Sequence, residues 1–485
     1  MEAGLPANPP RLSSPLGERP RPGIVHLGLG AFFRAHGALY IEEAMRQSGG
    51  DWGIIGVSLV RPAQRDALAP QDFVYTAVEL GPEDQTRRVV EIVRDVLVAR
   101  EEPEAVLAAM SDAAIRIVSL TVTEKGYCHE PATGGLNRDH PDIVHDLQNP
   151  DEPRSAPGFL VRALARRRQA GLRPFTVLCC DNLPDNGRML RGIVLELAEL
   201  IDPALRSWIA EEGAFPSTMV DRIVPATKDE DIKRLAEETG MLDLSPVMHE
   251  PFRQWVIEDN FVDGDRPDLE AVGVEIVKDV APFEHMKLRC LNGTHSSLAY
   301  LGYLAGHETI AETVADPVFA DFVTHLWQQE IIPSLTPPEG VDLTAYTQAL
   351  FTRYANPAIR HRTGQIAMDG SQKLPQRVLG TISENIEARR PSAGLILAVA
   401  AWMRYVGGID EKGAAIDVRD PLADRLKQLS DGADGPDAKV EALLSVREIF
   451  PATLAADTRF TGPLKEAYAA LINDGARKCA EGIAG

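Results

Sequence analysis

The run IVHLGLG at residues 24–30 ends in two glycines two positions apart and passes directly into AFFRAH, which predicts a helix starting near Phe33. Glycines at such a turn let the backbone bend tightly and approach a pyrophosphate, whose charge the following helix N-terminus favours. The match to the dinucleotide pattern GxGxxG is incomplete, because Phe33 occupies the third glycine position. A glycine turn between strand and helix also occurs for packing alone. Three more β-rich runs follow, WGIIGVSL from Trp52, IRIVSLTVT from Ile115 and FTVLCC from Phe175, and helical stretches separate them. That alternation predicts a parallel sheet covered by helices, so the first half is read as a Rossmann-type α/β domain. Between the third and fourth runs, a stretch rich in Pro, Gly, Asn and Asp, starting at Cys128, predicts a long surface excursion.

After about Val277 the pattern changes to long stretches with helical spacing, such as TIAETVADPVFADFVTHLWQQEII and AGLILAVAAWMRYV. The chain of 485 residues therefore divides into an α/β domain at 1–277, preceded by a Pro-rich arm, and a mostly helical domain at 278–485. A ligand cleft is expected between two such domains. The formal net charge of -21 argues against nucleic acid and anionic membranes as partners. No apolar run is long enough to span a bilayer, and the N-terminus lacks the apolar core of a signal peptide. Five cysteines without CxxC spacing suit a reducing cytoplasm, and neither a cysteine cage nor an HExxH points to a metal.

A dinucleotide domain that performs hydride chemistry on a ketone needs a proton donor for the forming alkoxide and groups that stabilise its charge. None of the nine tyrosines has a lysine four residues on, so a Tyr/Lys pair of the YxxxK kind is absent. The stretch PFEHMKLRCLNGTHSSLAYLGYL offers Lys287, Asn292 and His295 on a helix-like run. At roughly 100° per residue the three share one broad side of an α-helix. Alternatively, they are an exposed lysine, an asparagine beside a kink at Gly293 and a packed histidine. A second polar knot, CCDNLPDNG, follows the fourth strand, where parallel sheets present their ligand loops. Asn182 in that knot is either a donor to substrate or a turn residue. The second strand ends Ser58, Leu59, Val60, Arg61, without the acid that normally grips an adenosine ribose. NADP is therefore not excluded.

Taken in order, IVHLGLGAFFRAH, SLTVTEKGY, CDNLPDNG, PSTMVDRIVPA, EPFRQWVIEDNF, KLRCLNGTHS and RYANPAIRHRTGQIAMDGSQKLPQR resemble the mannitol dehydrogenase family, the polyol-specific long-chain dehydrogenases. The resemblance implies NAD as cofactor and no metal. It places the cofactor on the GxGxFxRAH loop, here Gly28, Gly30, Ala31, Phe32 and Arg34. It makes Lys287 the general acid and base, Asn182 and Asn292 the oxyanion donors, and His295 a substrate hydroxyl contact. Glu284 becomes a proton relay and Asp221 an electrostatic support. A lysine that acts as base must shed its proton near neutral pH, and burial in a closed cleft favours that.

Mannitol dehydrogenases carry Asp-Thr-x-x-Arg after their RFxNP motif; here His361 replaces the Asp and Gln365 the Arg. Loss of a carboxylate beside basic neighbours suits an anionic substrate. The version here is similar to the fructuronate reductase branch, with His361, Arg362 and Lys373 as candidate contacts to a sugar acid. These residues could equally be basic groups on a solvated helix. Tagaturonate, or a polyol such as mannitol or arabinitol, is the alternative substrate; a catalytically silent sugar-acid or dinucleotide sensor is the alternative of a different class. Both monomer and small homo-oligomer remain open.

Overall fold

A computed structural model describes residues 9–14, 19–130 and 133–484. The chain forms two compact units, Met1–Ala281 and Pro282–Gly485. Eleven strands are described, all in the first unit: β1 Pro22–Leu27, β2 Gly53–Ser58, β3 Tyr75–Leu80, β4 Gln85–Val90, β5 Val93–Val98, β6 Ile117–Leu120, β7 Thr176–Cys179, β8 Thr218–Asp221, β9 Val247–His249, β10 Gln254–Glu258 and β11 Glu275–Val277.

The main sheet runs β5-β2-β1-β6-β7, and each neighbouring pair is parallel. Four of its strands are the apolar runs read from the sequence. They are mostly apolar and buried, as expected for a parallel sheet covered on both faces, with His26, Ser119 and Thr176 as buried polar exceptions. On β1, Val25 and Leu27 enter the core that holds Phe159, Leu164 and Ile193, while Ile24 enters the opposite one with Leu39 and Trp255. Alternate residues of one strand thus close two layers. Two three-stranded sheets, β4-β3-β9 and β11-β10-β8, complete the unit, and each mixes parallel with antiparallel pairing.

The Pro-rich arm lies partly outside the described residues, at 1–8 and 15–18. Where it is described it is anchored: Leu12 donates to the Leu242 carbonyl at 3.0 Å, and Leu242 donates to Pro10 at 2.8 Å. The excursion after Cys128, of which 131–132 lie outside the described residues, is more ordered than its composition predicts. It contains a helix, Pro141–Gln148, that seats Ile143 in the core. The buried Asp146 carboxylate accepts the Arg154 and Ser155 amides at 2.7 and 3.0 Å. One apolar anchor and one satisfied carboxylate are enough to pin a Pro- and Asn-rich segment.

The second unit is helical. Its centre is Ala393–Val406, apolar on every side and buried almost throughout. Helices Thr294–Ala305 and Thr458–Asp474 pack on it. At its start the buried Glu330 carboxylate accepts the Gly394 and Leu395 amides at 2.7 and 2.9 Å. A carboxylate placed there satisfies helix N–H groups that have no intrahelical partner. No helix among the described residues is long and apolar enough to cross a membrane.

Candidate active site

In the first unit the turn after β1 takes the form its glycines predicted. Gly28 sits at φ +90°, and a Cβ there would lie 2.1 Å from the Thr121 carbonyl oxygen, so both conformation and space require glycine. Gly30 is exposed, and a Cβ on it would meet nothing closer than the Gly28 oxygen at 3.7 Å. The helix starts at Ala31, two residues before the expected Phe33, because the Arg34 amide already closes a turn on the Gly30 carbonyl. The amides of Ala31, Phe32 and Phe33 precede that first helical bond and remain available for an anion. A closely backed Gly28 and an open Gly30 fit a bound pyrophosphate.

Beneath the loop lies a histidine that the sequence reading passed over. His26 is fully buried and stacks on Phe33 with ring centroids 3.4 Å apart. Its Nδ1 lies 2.8 Å from the Ser119 hydroxyl, and its Nε2 lies 2.9 Å from the Thr121 hydroxyl, which itself donates to the Gly28 carbonyl. Burial lowers the imidazole pKa to about 3, so the ring is neutral. Phe33 therefore replaces the third glycine with a ring that stacks on the strand. Arg34 is also buried: its guanidinium donates to the Ser245 carbonyl at 2.5 Å and lies over Tyr75. Only its backbone faces the loop. Arg61, beyond the end of β2, is exposed.

The polar knot after β7 is held by its own acid and amides. Asp181 accepts the Val122 amide at 2.8 Å, the Thr123 amide at 3.2 Å and the Tyr127 hydroxyl at 2.6 Å, joining the loops after β6 and β7. Burial raises its pKa, and those three donors oppose the rise. Asn186 donates to the Asp181 and Thr218 carbonyls and accepts the Thr218 amide, all at 2.9 Å. Asp181 and Asn186 are thus the turn residues of the knot, and Asn182 is left exposed between them. Asp221, 4% exposed, ends β8.

In the second unit the segment that carries Lys287 is not a plain α-helix. A helix, Ala281–Met286, is followed by a π-helical turn, Lys287–Gly293, and α geometry resumes at Thr294. The wider turn changes the rotation per residue, so the expected α-helical angles between Lys287, Asn292 and His295 do not apply. Such turns displace carbonyls from the usual ladder and occur often at functional sites. Here Trp327 Nε1 and the Thr294 hydroxyl donate to Cys290 O at 2.8 and 2.6 Å, and Tyr354 Oη donates to Leu291 O at 2.9 Å. Gly293 is required because a Cβ would lie 2.7 Å from the Arg377 carbonyl oxygen.

Lys287 is 7% exposed and His295 is 8% exposed, while Asn292 and Glu284 are half-buried. His295 stacks on Tyr354 at 5.2 Å and meets His361 edge-on at 4.7 Å. Its Nε2 and the His361 Nδ1 are both buried without a hydrogen-bond partner. Burial, and then the nearby His361, Arg377, Arg353 and Lys373, hold the His295 pKa well below its ordinary value. Burial, with Lys373 second, lowers that of His361 to about 4. Lys373 donates to the Met368 carbonyl at 2.5 Å.

The structure separates His361 from its neighbour. Residues 308–310 and 361–363 form a short antiparallel bridge at Thr309 and Arg362, with Ile310 donating to the His361 carbonyl and Thr363 to that of Glu308. Alternate side chains of an extended segment point to opposite sides. His361 turns inward against His295, while Arg362 is 65% exposed and pairs with Glu308 at 2.9 Å. Gln365 is exposed as well. Arg353 and Arg377 were not among the residues singled out from the sequence, and their charge alone gives no sign that they face His295.

Two family models match the chain, the mannitol dehydrogenase Rossmann domain over residues 22–271 and the mannitol dehydrogenase C-terminal domain over 279–472. The chain is 47% identical to D-mannonate oxidoreductase of Escherichia coli over 94% of each chain. It is 42% identical to mannitol 2-dehydrogenase of Pyricularia oryzae over 93% of this chain and 91% of that one. The solved ternary complex of Pseudomonas fluorescens mannitol 2-dehydrogenase with NAD and D-mannitol superposes with a TM-score of 0.85 at 38% identity, covering 98% of this chain and 97% of that one. Matched by family models over both units, the chain belongs to the mannitol dehydrogenase family and is an oxidoreductase.

Proposed function

We propose that the protein is an NAD-dependent oxidoreductase that interconverts D-fructuronate and D-mannonate. Residues 1–277 hold the nucleotide and 278–485 carry the lysine and most of the substrate contacts. The observation that carries the sugar-acid reading is the setting of His361. It stands where mannitol dehydrogenases have an aspartate, turns against His295, and feels the charge of Lys373. A carboxylate there would repel a sugar acid, whereas a neutral imidazole beside cations accepts one.

Bound NADH would supply the hydride to the ketone carbon. Lys287 then protonates the forming alkoxide, and in the oxidative direction takes that proton back. Asn292, with Asn182 by the family's pattern, donates to the oxygen while it carries charge. His295, neutral and with an open Nε2, contacts a substrate hydroxyl. Glu284 relays the lysine's proton to solvent, and Asp221 supports the site electrostatically. On the substrate side, His361 and Lys373 are the proposed contacts; Arg362, exposed and paired with Glu308, is a weaker one. The likeness to a solved enzyme that holds NAD supports that cofactor, together with the geometry of the Gly28 turn.

The test is steady-state oxidation of NADH and NADPH with D-fructuronate, D-tagaturonate and D-fructose. The expected result is a kcat/KM highest for D-fructuronate with NADH. Equal activity with D-fructose would remove the sugar acid and leave the family, and binding of NAD without turnover on any of these would favour a sensor.

A further inference from the structure

We infer that Arg377 is the residue that grips the substrate carboxylate and so sets the preference for a sugar acid over a neutral ketose. The inference rests on the sugar-acid reading above and names the group that recognises the charge.

Arg377 lies on a π-helical turn, Pro375–Leu379, whose backbone packs so closely on Gly293 that no side chain fits there. Its guanidinium donates to the Ser296 hydroxyl at 3.1 Å, and Ser296 is the residue after His295. Among the described residues that hydroxyl is the guanidinium's one hydrogen-bond acceptor, and no carboxylate is paired with it. A guanidinium has five N–H donors in a planar fork, so most of its capacity is unspent. Arg377 is half-buried; burial lowers its pKa, and the phenols of Tyr300 and Tyr354 oppose the shift. His361, Arg377, Arg353 and Lys373 all act to hold the His295 pKa down, so cationic groups gather around that ring. A guanidinium drawn partly out of water is ordinarily paired with an anion. Here the missing partner is an anion, and the two buried imidazole nitrogens left without hydrogen bonds lie in the same cluster.

The site is therefore incomplete without a ligand that carries both charge and hydroxyls. D-fructuronate has its carboxylate at the end of the chain remote from the ketone. A planar carboxylate matches the guanidinium fork with two parallel hydrogen bonds, and the hydroxyls between reach the imidazoles. The position that carries arginine in mannitol dehydrogenases is the exposed Gln365 here, so Arg377 supplies a guanidinium from a different turn.

The experiment compares wild type with Arg377→Gln and Arg377→Lys, with NADH and with D-fructuronate or D-fructose varied. For Arg377→Gln we expect the KM for D-fructuronate to rise about 100-fold, kcat to change only a few-fold, and the preference over D-fructose to disappear. Arg377→Lys keeps the charge without the fork; it should keep the preference with a KM raised about 10-fold, and it decides the matter if Arg377→Gln does not fold. Equal losses on acid and ketose, or an unchanged preference in either variant, would overturn the role of Arg377 while the sugar-acid reading stands. Absence of any acid preference in the wild type would overturn both.

Discussion

Both units bury histidines, and the two sets differ in what surrounds their nitrogens. In the first unit His26 has a hydroxyl at each nitrogen and a phenyl ring on its face, and its burial fixes a glycine turn. In the second, His295 and His361 are enclosed beside cations, with one nitrogen each left without a partner. A buried polar atom normally has its partner, because leaving it unpaired costs about 1–3 kcal/mol. The satisfied ring therefore belongs to the architecture, and the unsatisfied pair marks where a ligand completes the structure.

Substitutions can break this contrast. The largest effect is expected in the same unit as the unsatisfied pair, at Lys287. Lys287→Ala should lower kcat by about 10³-fold or more with the Kd for NADH little changed, as read by single-turnover kinetics and cofactor fluorescence. Near-normal turnover would remove the lysine from the chemistry. His295→Ala should lower kcat/KM by about 100-fold while costing less stability than His26→Ala, since it loses ring packing on Tyr354 and His361 but its Nε2 holds nothing in the free protein. His26→Ala should do the reverse: it should cost about 2 kcal/mol in urea unfolding and raise the KM for NADH, with kcat changed only a few-fold. If both variants were equally unstable and equally slow, the contrast would fail. His361→Asp, which restores the family's carboxylate, should shift preference toward neutral substrates by about 10- to 100-fold in relative kcat/KM.

The smallest effect is in pH dependence. His26 has a pKa of about 3 when folded, against about 6.5 when unfolded. Between those values the unfolded chain binds a proton that the folded one refuses, so stability is full above about 6.5 and falls as pH drops. Each such ring contributes about 1.4 kcal/mol per pH unit over that window. His26→Asn, which does not titrate, should therefore lose less stability between pH 7 and pH 5 than wild type; an identical loss would show that His26 is not neutral in the fold.

The parts legible in the sequence are those governed by local rules. The β1 turn, four strands of the main sheet and the helical second unit follow from glycine conformation and from periodicity. The helix start was misplaced by two residues because the Gly30 carbonyl closes the first turn. The angles around Lys287 were misjudged because the π turn is stabilised by Trp327 and Tyr354, far away in the chain. The same limit hid His26, Asp181 and Arg377, whose roles depend on Ser119, Val122 and Ser296 across the fold. Between His361 and Arg362 charge alone could not choose, and the backbone bridge with Glu308–Ile310 decides which one points inward.

The contrast between the two histidine sets can be measured directly by ¹⁵N NMR of the imidazoles in the NAD-bound protein during titration with D-mannonate. The prediction is a change at His295 Nε2 and His361 Nδ1 as they gain hydrogen bonds, with both His26 nitrogens unmoved. A response at His26 with none at His295 and His361 would contradict it.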